Sequence, residues 1–142
     1  MKAIIDTNIA MDIMERRADF IEDAAKVFTI CASGLVDGFF TPNSVVDIHY
    51  LLKRVIHDEK AVRTSMAFWE EMIDVTDIIA DDIVNARESD ISDYEDAVMA
   101  MAAKRSGIDY IVTRNTKDFE NSPVPAVTPG EFIGIALKAG LN

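Results

Sequence analysis

Four aspartates, Asp6, Asp47, Asp96 and Asp118, fall where elements of regular structure begin or end. Two carboxylates brought within about 5 Å repel by roughly 3 kcal/mol at an effective dielectric of about 20. A cluster of them therefore protonates one member or recruits a cation. Oxygen-only ligands favour Mg2+ or Mn2+ over zinc or copper. Carboxylate-held Mg2+ serves mostly phosphate chemistry, where it activates water and steadies a departing oxygen. The chain has no Gly-x-x-x-x-Gly-Lys-Ser/Thr loop and no Gly-x-Gly-x-x-Gly turn, so no motif supports a nucleotide cofactor. His49 and His57 have no partner at metal-ligand spacing and read as surface or packing residues.

The elements around these acids alternate. Lys2 to Ile5 reads as a short buried strand that stops at Asp6, where open α/β sheets keep their ligand sites. Asn8 is placed to cap a helix through Ile9, Ile13 and Met14. A second helix is expected from Asp19, with Phe20, Ala24, Val27, Phe28 and Cys31 at helical spacing and Gly34 as its end. Val36 to Phe40 reads as a strand, and Thr41-Pro42 turns into a third helix carrying Val46, Ile48, Leu51, Leu52 and Val55 inward.

Helices are expected over 58–72, 80–87 and 93–106, the last ended by Gly107, with strands over 73–76, 109–113 and 124–127. Pro129 opens a terminal helix. Strands alternating with helices predict a parallel sheet covered on both faces, a three-layer α/β/α sandwich with a mainly parallel central sheet. In that arrangement Asp6 and Asn115 share an edge if their strands are neighbours. Asp96, one helical turn after the expected cap Asp93, starts its helix at the same end. Asp12 and the pairs Glu70-Glu71 and Asp81-Asp82 read as solvated surface.

The 142 residues read as one domain over 1–142, of ordinary globular composition. Fourteen basic against 25 acidic residues give a net charge of −11, which argues against tight nonspecific nucleic-acid binding through the overall field. It suits a divalent cation, a basic partner, or both. A single cysteine, Cys31, excludes an internal disulfide and reads as a small core residue, so a reducing cytoplasm is the expected home. No run approaches a membrane span.

Three segments, in order, resemble PIN-domain ribonucleases: Ile4-Ile5-Asp6-Thr7-Asn8-Ile9, Asp93-Tyr94-Glu95-Asp96-Ala97-Val98, and Ile111-Val112-Thr113-Arg114-Asn115-Thr116-Lys117-Asp118. The resemblance implies a compact α/β/α domain that binds Mg2+ or Mn2+ through clustered acids and cleaves RNA. It makes Asp6, Asp47 and Asp96 the first three acids, with Asp47 one methylene shorter than the usual glutamate. The fourth place falls to Asn115 or, three residues on, to Asp118. Thr7 and Thr113 match small hydroxyl positions that orient water or a carboxylate. Arg114 and Lys117 stand beside the site, as phosphate contacts or as ordinary loop charges, and Lys53 and Arg54 are further candidates. The implied reaction is hydrolysis that leaves 5′-phosphate and 3′-hydroxyl ends. Similar short proteins are VapC-type toxins, which implies a homodimer and a small antitoxin partner.

Two other classes compete. A haloacid-dehalogenase-like phosphatase needs a second aspartate two residues after the first, where this chain has Asn8. A degenerate PIN-fold binding module would keep the acids without cutting.

Overall fold

The computed structural model describes residues 1–141. Strand β1 (Lys2–Ile5) lies at the centre of a five-stranded parallel sheet of order β3-β2-β1-β4-β5, with β2 (Asp37–Phe40), β3 (Asp74–Val75), β4 (Tyr110–Val112) and β5 (Ala126–Val127). Register pairs Ile4 with Phe39 on one side and with Ile111 on the other. From β1 the chain winds outward through β2 and β3, then crosses to the other side for β4 and β5. The carboxyl ends of β1 and β4 thus flank the topological switch point, where such sheets hold ligands.

Alternation along β1 divides the core. Ala3 and Ile5 face a layer made by α1 (Thr7–Met14), α2 (Ile21–Ala32), α3 (Pro42–Val55), α4 (Glu59–Met72) and α7 (Pro129–Gly140). Ile4 and Ile111 face α5 (Ala80–Glu88) and α6 (Tyr94–Arg105), together with the 3-10 turn Thr116–Phe119. The three-layer α/β/α expectation therefore holds. Every strand begins later or ends sooner than the sequence pattern suggests, or both, except β1. The edge pair Asp74–Val75 is the shortest consequence, being exposed on both residues.

Local signals explain most helix ends. Thr41 caps α3 by accepting the Ser44 amide at 3.1 Å, and Asp93 caps α6 by accepting the Asp96 amide at 3.0 Å. Gly34 (φ 81°) and Gly107 (φ 68°) follow α2 and α6 in the left-handed region that glycine enters without strain. Gly38 is required for a different reason. A Cβ there would stand 2.6 Å from Cys31 Sγ, so β2 and α2 pack too closely for any larger residue. Cys31 is indeed core, and burial pushes its thiol up to about 12.

Several local expectations give way to tertiary contacts. Asp6, not Asn8, occupies the cap position of α1, because the helix begins at Thr7 directly after the strand. Helix α2 starts at Ile21. Phe20 precedes it and stays 41% exposed, with the Arg114 guanidinium 4.3 Å from its ring centroid. On α3 only Ile48 among the apolar residues is fully buried. Val46 and Val55 lie exposed, because the helix meets the sheet layer along a narrow line. Asp12 and Asp82, expected in solvent, are buried. Asp12 Oδ2 accepts from Arg114 Nε at 2.8 Å and its Oδ1 pairs with Arg17 at 3.3 Å. Asp82 accepts from Arg105 Nε at 3.0 and 3.1 Å. Each charge is kept inside by an arginine distant in sequence. Among the described residues no helix is long and apolar enough to cross a membrane.

Candidate active site

At the switch point the fold gathers the acids around one open cleft of about 440 Å³. Asp6 and Thr7 come from the β1–α1 junction, Asp47 from α3, and Asp93 and Asp96 from the start of α6. Asn115 and Asp118 come from the segment after β4. Glu95, Asn8 and Tyr50 also line it; the sequence pattern gives none of them as a site residue, and Asn8 only as a helix cap. Spacing could have found two of them. Glu95 shares the first turn of α6 with Asp96, and Tyr50 is one helical turn past Asp47.

Asp6 is the most constrained of these groups. Its backbone N–H donates to the Val112 carbonyl at 2.9 Å, extending the β1–β4 ladder to the cleft floor. Its Oδ2 accepts from Thr113 Oγ1 at 2.8 Å. Burial raises its pKa, while the Thr113 hydroxyl, the amides of Thr7 and Asn8, and the Arg114 charge favour the ionised form and restrain the rise. Asp96 shows the crowding most clearly. Burial and then the charges of Asp6, Asp93, Asp118 and Glu95 push its pKa to about 7. Glu95 is raised as well, first by burial and next by Asp47.

The flanking residues take distinct roles. Thr7 lines the cleft, and its hydroxyl donates to Ser44 Oγ at 2.8 Å, tying α1 to the cap of α3. Thr113 is wholly buried and reaches Asp6. Asn115 and Asp118 line the cleft and are exposed, and Lys117 is exposed beside Asp118 in sequence without lining it. Arg114 turns from the cleft toward Asp12 and Phe20, so its guanidinium is already engaged. The carboxamide oxygen of Asn8 is buried without a hydrogen-bond donor among the described residues, although its nitrogen lies 3.4 Å from Thr113 Oγ1. Among the described residues no three His, Cys, Asp or Glu side chains are grouped tightly enough to grip one ion together.

A three-layer α/β/α domain with a carboxylate-lined cleft at the switch point of a parallel sheet is the class these features define. In sequence, the family model described as PIN domain matches residues 2–117. The chain belongs to the PIN domain family. No curated protein matches it in sequence. Among solved structures, it is similar to VapBC2 from Rickettsia felis bound to a DNA fragment from their promoter (TM-score 0.68, 14% identity, 90% of this chain and 98% of that one). A toxin-antitoxin complex from Klebsiella pneumoniae aligns with TM-score 0.66 and 22% identity over 89% and 97% of the two chains. DNA-bound VapBC from Salmonella typhimurium aligns with TM-score 0.66 and 15% identity over 91% and 98%. At such identities the likeness is one of fold.

Proposed function

We propose that this protein is a Mg2+- or Mn2+-dependent endoribonuclease, the toxin of a toxin–antitoxin pair of the VapC type. The observation that carries the reading is the gathering of acids at one cleft, where burial and then the neighbouring carboxylates lift Asp96 to about 7. A cation placed there relieves the repulsion. The donor set is all oxygen, including the orphaned Asn8 carboxamide, and that suits a hard ion. The spread of the acids suits Mg2+ in particular, which keeps several waters and takes one or two carboxylates directly.

In this reading Asp6 and Asp96 hold the ion, with Asp47 and Asp118 completing its surroundings directly or through water. When bound, the ion lowers the pKa of an attacking water and steadies the oxygen that departs from the phosphodiester. Thr113 holds the Asp6 carboxylate in place, and Asp93 fixes the first turn of α6 that presents Asp96. Glu95 adds negative charge beside Asp47. Lys117, exposed next to Asp118 in sequence, is the phosphate contact in this reading, whereas Arg114 is committed to Asp12. The net charge of −11 suits a basic antitoxin segment, and the likeness to VapBC assemblies supports an antitoxin partner; a homodimer in a cytoplasmic setting completes the VapC-type reading.

The test is cleavage of an RNA panel with Mg2+ or Mn2+ by the wild type, Asp6→Asn and Asp96→Asn. We expect each substitution to lower activity by at least about 100-fold. Equal cleavage by all three proteins would reject the site. A wild type that binds RNA but never cuts it would leave the binding-module reading in its place.

A further inference from the structure

We infer that α3 carries a strand-binding track for RNA, with Tyr50 stacking on a base at the cleft mouth and Arg54 meeting a phosphate beyond it. The inference rests on the nuclease reading above and adds where the substrate strand leaves the acids.

A chain of net charge −11 repels a polyanion, so it needs a local cationic stretch. Four of the fourteen lysines and arginines, Lys53, Arg54, Lys60 and Arg63, fall within residues 53–63, where α3 turns into α4. Glu59 engages Arg63 at 3.1 Å and Lys53 at 3.8 Å. Arg54 is exposed and has no ion pair among the described residues, so its charge is available to a ligand.

Position along the helix links that charge to the acids. Asp47, Tyr50, Leu51 and Arg54 follow the spacing i, i+3, i+4, i+7 and so share one face of α3. Asp47, Tyr50 and Leu51 line the acidic cleft, while Leu51 and Arg54 line a second hollow of about 360 Å³. Leu51 is their common wall. Asp47 and Arg54 are about 10 Å apart along the helix axis, room for a base between the acids and the guanidinium. Tyr50 is 65% exposed in that interval, so its ring contributes little to the core. Single-stranded nucleic acids are held by this combination, an aromatic face for a base and a cation for the backbone. The apolar residues of the second hollow would also accept a protein helix. The unpaired guanidinium in line with the acids favours the polyanion.

Steady-state cleavage of a labelled single-stranded oligoribonucleotide, and its binding in the cleavage-silent Asp6→Asn background, test the track. Arg54→Ala is expected to raise KM about tenfold with kcat within about twofold, and to reduce the salt dependence of binding by about one charge. Tyr50→Ala is expected to weaken binding about tenfold while Tyr50→Phe, which keeps the ring, stays near wild type. Both side chains are exposed, so thermal melts should be unchanged. Wild-type KM, binding and salt slope in Arg54→Ala and Tyr50→Ala would overturn the track and assign this face to a protein partner. Failure of the nuclease reading itself is separate, because it shows as absent cleavage by the wild type or undiminished cleavage by Asp6→Asn.

Discussion

Thr113 Oγ1 donates to Asp6 Oδ2 at 2.8 Å, so the end of β4 holds the acid that ends β1. The same oxygen accepts from the Asn115 amide at 3.1 Å and lies 3.4 Å from Asn8 Nδ2. One buried hydroxyl therefore links the two strand ends and the first two turns of the site.

Thr113→Val keeps the shape of this side chain and removes its hydrogen bonds. Asp6 then loses a donor to its charged form, and the Asn115 amide loses its acceptor. We expect a loss of about 1–3 kcal/mol in urea unfolding and a fall in cleavage of about tenfold or more, as for other groups that orient a metal-binding carboxylate. Thr113→Ser retains the hydroxyl and should recover most of both. An inactive Thr113→Ser of wild-type stability would contradict the role given to the hydroxyl.

Asp96 makes stability depend on pH in a defined direction. Its pKa rises from 3.8 to about 7 on folding, so between those values the folded chain holds a proton that the unfolded chain has released. Stability of the metal-free protein is therefore expected to fall as pH rises from about 4 through 7. Asp96→Asn should flatten this fall, and millimolar Mg2+ should restore stability above pH 7 in the wild type only. Thermal melts in EDTA and in Mg2+ across pH 4–9 measure it. Cleavage should rise with pH as Asp96 ionises.

Asp12 lies outside the cleft, yet it holds the Arg114 side chain that follows Thr113. Asp12→Ala leaves Arg17 and Arg114 without their buried counterion. Both guanidiniums retain partial solvent access, with side-chain exposures of 32% and 22%. The expected cost is thus near the lower end for broken buried pairs, about 3 kcal/mol in denaturant unfolding. A loss under about 1 kcal/mol would show that the pair contributes no more than a surface bridge.

How much of this was legible in the chain differs from residue to residue. Helix and strand identities, the Asp93 cap, the glycine stops at Gly34 and Gly107, and the burial of Cys31 follow from local preference and apolar period. Those forces act within a few residues and are written directly in the order of side chains. Asp6 and Asp96 were legible as partners because parallel connections put strand ends and the starts of the following helices at one edge. The order β3-β2-β1-β4-β5 made that edge a switch point, and only the packed sheet supplied it.

What the sequence by itself determined was the set of elements and the acids available to them. The tertiary structure decided which charges entered the interior and which faced the cleft. Asp12 meets Arg114 across 102 residues and Asp82 meets Arg105 across 23, separations over which no periodicity reports contact. Glu95 and Tyr50 joined the site, and Val46 and Val55 stayed in solvent, because the direction a helix face points is set by what it packs against. Burial and charge pairing are properties of the assembled surface, and they arise only when distant segments meet.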